Sequence, residues 1–295
     1  MPTRGMSFET NKDVLDWYER QERVLTDEFI SDIPWHQIKD HPFNEELIPV
    51  LLYMRDVETL TDMYHRELLR TPTGKDPHIS KFMERWGVEE ITHGEVINRF
   101  LNEIGYETDE KWQTQVRRDV SKVYKAKAYF ISAITNLVGK QFTATHMTFG
   151  AIHEMEAAQG YRRLIELGDH PVLTHILNGI IREESAHGSF YRSIAKLELK
   201  RNEFAPKMAR WVIEHFWEPV GAGSLSKERS DYVIKKLFVE DKALEVLDKT
   251  VTQRVRQLPG FGDITKMTDT IGGIAKSAAA AGLIGAVVFN SATGL

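Results

Sequence analysis

The sequence predicts an all-α protein, with a four-helix bundle core and additional covering helices. Three observations carry this. Apolar residues recur at helical spacing through long stretches of good helix formers. Val and Ile seldom alternate with polar residues, so there is little from which strands could be built. Breakers fall between the periodic stretches, and two of the breaks are short enough to fold neighbouring helices back on each other.

Taken in order, residues 1–13 are polar and lack the apolar core of a signal peptide. Asp27 to Phe43 reads as irregular, with Pro34 and Pro42 inside it. Helices are then expected over Asn44–Arg70, His78–Gly105, Asp109–Val138, Lys140–Leu167, Pro171–Leu199, Ala205–Trp217 and Lys227–Leu258. The first two are joined by Thr71-Pro72-Thr73-Gly74-Lys75-Asp76-Pro77, and the fourth and fifth by Gly168-Asp169-His170. Each pair should form an antiparallel hairpin, with the remaining helices around them. A glycine-rich part begins at Pro259, so the expected division is a helical domain over 1–258 and an apolar extension over 259–295. Within that extension, 278–289 is a run of twelve residues without a polar side chain. It is shorter than the roughly 20 residues of a spanning helix. It reads as a tail packed on its own domain or on a partner subunit, with membrane contact as the lesser alternative.

Composition narrows the chemistry. The 295 residues include no Cys, which excludes disulfides, zinc knuckles, iron–sulfur ligation and a thiol nucleophile. A cytoplasmic location is expected. Charge is mixed and the net value is −5, so nothing points to nucleic acid. With 42% hydrophobic residues the chain can bury a large core.

Two short motifs stand out. Glu90-Ile91-Thr92-His93 and Glu184-Ser185-Ala186-His187 both read Glu-x-x-His. Three residues apart on a helix is one face, so carboxylate and imidazole can reach one metal ion together. Taken singly each is weak, since roughly one such match is expected by chance. Their placement strengthens them. Each lies in the second arm of an expected hairpin, and each has a glutamate at equal height in the first arm. Glu58 and Glu90 both lie 16 residues from Gly74, and Glu154 and Glu184 both lie 15 residues from Asp169. Glu58 sits on an apolar stripe (Leu47, Leu51, Met54, Thr61, His65, Leu68), where an unpaired charge would be costly. Glu154 has the small neighbours Gly150, Ala151, Ala157 and Ala158. The candidate metal ligands are therefore Glu58, Glu90, His93, Glu154, Glu184 and His187. Oxygen and imidazole donors suit iron, with manganese as the other choice. Glu67 and Glu156 are rivals in sequence but differ in height or face. Glu89 and Glu183 are expected either beside the ligands or on the surface. His65, His146 and His153 are expected to be packing histidines.

At these residues the sequence resembles the soluble acyl-acyl carrier protein desaturases (fatty acid desaturase type 2), di-iron carboxylate proteins with a ferritin-like core. The resemblance rests on Glu89-Glu90-Ile91-Thr92-His93 with Arg85-Trp86 before it and Gly94 after it. It also rests on Glu183-Glu184-Ser185-Ala186-His187 with Phe190-Tyr191-Arg192, and on the lone Glu58 and Glu154. It covers roughly Leu47 to Ala195. It implies two iron ions, O₂-dependent oxidation of unactivated C–H bonds, and an acyl chain delivered on acyl carrier protein. It also implies an external electron donor such as a ferredoxin, because no G-x-G-x-x-G nucleotide motif precedes a helix here. By analogy Glu90 and Glu154 would be the bridging pair. A homodimer is the expected assembly. Two departures bear on the outcome of the reaction. Ala157 stands where the family has a threonine, and Glu183 stands where it has an aspartate. A hydroxylase or N-oxygenase, a non-catalytic iron-binding protein and a metal-free helical interaction module are the alternatives. Arg117, Arg118, Lys122, Lys125 and Lys127 form the candidate basic face for an acidic carrier protein.

Overall fold

The computed structural model describes residues 7–120 and 135–277. Among these the fold is all-α, with helices and turns and no strand. We number the helices α1 (Asn11–Glu19), α2 (Asp27–Asp32), α3 (Ile48–Thr59), α4 (Thr61–Leu68), α5 (Pro77–Glu103) and α6 (Trp112–Asp119). They continue as α7 (Thr143–Gly168), α8 (Pro171–Leu199), α9 (Phe204–Phe216), α10 (Lys227–Phe238), α11 (Asp241–Leu247) and α12 (Lys266–Ala275). None of them is long and apolar enough to cross a membrane.

Both expected hairpins form. Asp76 caps α5 by accepting from the N–H groups of His78 and Ile79, and Pro77 opens the helix where its missing N–H costs nothing. Asp169 ends α7 in the left-handed conformation, φ 40°, and His170 caps α8 through the Leu173 N–H. Helices α7 and α8 pack along their whole length, α3 lies on α5, and the two hairpins meet through α5 and α8. Two further helices cover opposite flanks. Helix α1 lies across α5 and α8, and α10 lies across α3 and α7.

Several boundaries differ from the sequence reading. Helix α1 was not expected. Its signal is a capping box in which Thr10 accepts from Asp13 N–H and Asp13 accepts from Thr10 N–H. Its Val14, Leu15, Trp17 and Tyr18 are all buried. The irregular segment contains α2 and a 3₁₀ turn over Trp35–Asp40. The helix expected over Asn44–Arg70 is divided at Leu60, where the backbone tightens to a bond from Leu60 N–H to Val57 O. The one expected over Lys227–Leu258 stops at Phe238, because Arg163 Nε donates to the Leu237 carbonyl and so takes the place of the next turn. The chain then restarts as α11 and runs through a π-helical turn over Asp248–Thr252.

Beyond Pro259 the described residues are part of the same core: Phe261, Ile264, Met267, Ile271 and Ala275 are all buried in it. The apolar run 278–289 lies outside the described residues, as does most of the second half of the expected helix Asp109–Val138.

Candidate metal centre

All six sequence-derived ligands converge. Glu58 comes from α3, Glu90 and His93 from α5, Glu154 from α7, and Glu184 and His187 from α8. They form two groups, Glu58–Glu90–His93–Glu184 and Glu90–Glu154–Glu184–His187, each with its donor atoms within 4.8 Å of one another. Glu90 and Glu184 belong to both groups. The sharing pair is thus the two motif glutamates, not Glu90 and Glu154 as the family analogy implied. All six residues are buried, the two histidines completely.

Local packing explains how the first-arm glutamates reach the site. Each histidine is followed by a glycine. A Cβ on Gly94 would lie 3.1 Å from Thr59 Oγ1 and 3.4 Å from Glu58 Cβ, and one on Gly188 would lie 3.3 Å from Glu154 Cβ. These glycines let α3 and α7 approach α5 and α8 at the height of the ligands. The repeated Glu-Glu-x-x-His-Gly is therefore one device used twice. Gly188→Val should overpack this contact, costing about 1–3 kcal/mol, and should weaken metal binding by displacing Glu154. Denaturant melts and a metal titration check both effects; a variant unchanged in both would refute the packing role.

The outer edges of the two imidazoles are fixed by the carboxylates that precede the motif glutamates, and the pairing crosses over. His93 Nε2 donates to Glu183 at 2.8 Å, and His187 Nε2 donates to Glu89 at 2.7 Å. The sequence left Glu89 and Glu183 between site and surface; both are buried beside the ligands. Each Nδ1 is thereby left to face inward. His93 Nδ1 lies 3.3 Å from Glu184 Oε1, and His187 Nδ1 lies 3.0 Å from Glu90 Oε1. Neither nitrogen makes a hydrogen bond of acceptable geometry, and neither do Glu90 Oε1 or the two Glu184 oxygens. Buried polar atoms without partners are costly. Here they are turned toward one another within one small buried volume, an arrangement that a cation satisfies. Four carboxylates, two neutral imidazoles and two divalent ions sum to zero charge. The donor set fits a dinuclear site.

Electrostatics describe the same deficit. Burial pushes the carboxyls of Glu90 and Glu154 well up, and the facing carboxylates push them further. Burial opposes charge on both imidazoles as well, yet the surrounding carboxylates hold His93, and Tyr18 together with the carboxylates holds His187, well above the usual histidine range. Burial is also overcome at Glu184, which His187 and His93 hold well below the ordinary carboxylate range. Without metal, protons on Glu90, Glu154 and the imidazoles neutralise the cluster, and metal binding must release them.

The surroundings are dry on one side and open on the other. Phe82 and Phe190 stack at 3.8 Å between centroids, with Tyr18, Trp86 and Tyr191 packed around them beside His187. Trp86 Nε1 donates to Glu154 at 3.1 Å. On the flank under α10 lies a mostly apolar cavity lined by Met54, Val57, Glu58, Ala157, Gly160 and Tyr161, among others. Tyr161 donates its hydroxyl to Glu58. Glu156 also lines this cavity, and burial pushes its carboxyl up to about 8. Of the tyrosines of this shell, the sequence reading placed Tyr161 on the face of Glu154 without giving it a role, and it did not single out Tyr18, which lies in no motif.

The other candidates are elsewhere. Glu67 is outside the cluster. His146 Nδ1 lies 2.8 Å from Thr73 Oγ1, and His153 Nε2 donates to the Glu218 carbonyl at 3.2 Å. Of the proposed basic face, Arg117 is paired with Asp62 at 3.2 Å, Arg118 is exposed, and the three lysines lie outside the described residues. No protein-family model matches the chain, and no curated protein does.

Proposed function

We propose that the chain is a ferritin-like dinuclear metal protein, with iron as its metal, that carries out O₂-dependent oxidation of an apolar substrate. The observation that carries this reading is the pair of buried ligand groups sharing Glu90 and Glu184, with unpartnered oxygens and nitrogens turned inward. Hard oxygen donors with two imidazoles and no sulfur suit iron, with manganese next. Glu58, Glu90, His93, Glu154, Glu184 and His187 would hold the iron, which would supply redox chemistry toward O₂ with electrons from an external donor such as a ferredoxin. The chain's own residues do the rest. Glu89 and Glu183 fix the imidazoles, the aromatic shell excludes water around His187, and the small apolar cavity beside Glu58 marks the side from which an apolar substrate would approach. An acyl chain delivered by acyl carrier protein is the substrate proposed first, on the motif resemblance, and a homodimer is the proposed assembly.

Ala157 favours a second outcome. It lines the cavity beside Glu58 and Tyr161, where it brings no hydroxyl and little bulk. Without a hydroxyl at position 157 itself, the site suits oxygen insertion, by hydroxylation or amine oxidation, as well as desaturation. The experiment is a single-turnover reaction of the iron-loaded, chemically reduced chain with O₂ and an acyl-carrier substrate, read by mass spectrometry. Loss of two hydrogens supports desaturation, gain of one oxygen supports insertion, and consumption of O₂ with neither product removes the acyl substrate. Ala157→Thr should shift the product ratio; a positioned proton donor is typically worth about 10² to 10⁴ in rate.

A further inference from the structure

One segment of eight residues, 18–25, reaches the outer ends of both histidines through their carboxylate partners. Tyr18, at the end of α1, donates its hydroxyl to Glu89 Oε2 at 2.6 Å, the same oxygen that takes the His187 N–H. Arg85 Nε donates to the other Glu89 oxygen at 2.8 Å, and its guanidinium lies 4.6 Å above the Tyr18 ring. Just after α1, the backbone N–H groups of Val24 and Leu25 donate to Glu183 Oε1 at 2.6 and 3.0 Å. Glu183 in turn holds His93. The segment is itself anchored, since Asn11 Nδ2 donates to Asp76 and Glu198.

We infer that Tyr18 is the positioning residue for the ion bound through His187, and that the two metal positions are unequal because the His93 position is held by backbone amides instead. The inference rests on the dinuclear reading above. A backbone N–H pair is fixed by the fold and has no side chain to lose. The Tyr18–Glu89–His187 chain depends on one hydroxyl and one guanidinium. Losing the outer partner of a ligating histidine typically weakens metal binding by about 10- to 100-fold, and Tyr18 acts on His187 through such a partner, Glu89. Tyr18→Phe keeps the ring, and with it the packing against Phe82, Phe190 and Arg85. Only the hydroxyl goes.

The test uses the full chain stripped of metal and titrated with Co²⁺, followed by calorimetry and by visible ligand-field absorbance. Wild type should take up two ions. Tyr18→Phe should weaken one of them about 10- to 100-fold and leave the other unchanged. In proton NMR of the Co²⁺-loaded chain, the shifted N–H signal of one imidazole should move while that of the other stays, an outcome a general loss of packing does not give. Arg85→Met, which keeps the carbon stem, should weaken the same ion. Equal weakening of both ions, or of neither, overturns the inference while the dinuclear reading stands. A wild-type chain that takes up no Co²⁺ overturns both.

Discussion

Glu184→Gln should abolish binding of both metal ions, whereas Glu58→Gln and Glu154→Gln should each lose one. The difference follows from the membership of the two groups. Glu184 and Glu90 serve both positions, while Glu58 serves only the one with His93 and Glu154 only the one with His187. Glutamine keeps the shape and one carbonyl oxygen but removes the charge, so a shared position loses compensation for two cations at once. The same change in Glu184 also removes the carboxylate that lies between the two imidazoles, 3.3 Å from His93 Nδ1 and 3.7 Å from His187 Nδ1. Metal per chain by elemental analysis after dialysis gives the result directly. The expected order is two ions in wild type, one in Glu58→Gln and Glu154→Gln, and none in Glu184→Gln and Glu90→Gln. One ion retained in Glu184→Gln would show that the sharing pair is different.

The metal-free chain should lose stability as pH rises from mildly acidic values, and bound metal should remove that dependence. Glu90 and Glu154 are raised above the ordinary glutamate value of 4.5, so above that pH the folded chain holds protons that the unfolded chain has released. Stability falls with pH wherever the folded state binds more protons. His93 and His187 have the same sign. They are raised above 6.5, so their contribution is complete below that pH and is lost as pH climbs through the folded values. Glu184, Glu183 and Glu89, the last lowered to about 2, act at the other end: their contribution is present above 4.5 and is lost only as pH falls. Each unit of separation between folded and unfolded values is worth about 1.4 kcal/mol. Buried His146 and His153, lowered to about 4, act in the opposite sense below 6.5, so melting temperatures with chelator should stay nearly level from about pH 5 to 6.5 and decline from there toward pH 8. Saturating Mn²⁺ or Fe²⁺ should flatten the decline, adding about 2.7 kcal/mol per bound ion at a hundredfold excess over Kd. A melting temperature in chelator that rises from pH 5 to pH 8 would contradict the protonation scheme.

The ligands were legible because their signal is local and repeated. Three-residue spacing fixes a shared face within each motif, and equal distances from Gly74 and Asp169 fix a shared height between helices. The supports were less legible. Glu89 and Glu183 each hold the histidine of the opposite motif, a crossing that appears only once α5 and α8 are packed. That Glu184 belongs with both groups could have been read from the motifs, since Glu90 and Glu184 hold equivalent places in them; analogy favoured Glu154 instead. Helix α1 also had a readable signal in Thr10 and Asp13 with Val14, Trp17 and Tyr18 at helical spacing. The break after Phe238 did not, because the group that ends the helix is the side chain of Arg163, far away in sequence. The Gly after each histidine was visible, yet its purpose depends on which backbone lies against it.

Anomalous diffraction at the iron edge, from a crystal grown with Fe²⁺ under anaerobic conditions, decides whether this is a dinuclear iron centre. Two peaks are expected, one enclosed by Glu58, Glu90, His93 and Glu184 and the other by Glu90, Glu154, Glu184 and His187. A single peak, or six side chains with no anomalous signal among them, would contradict it.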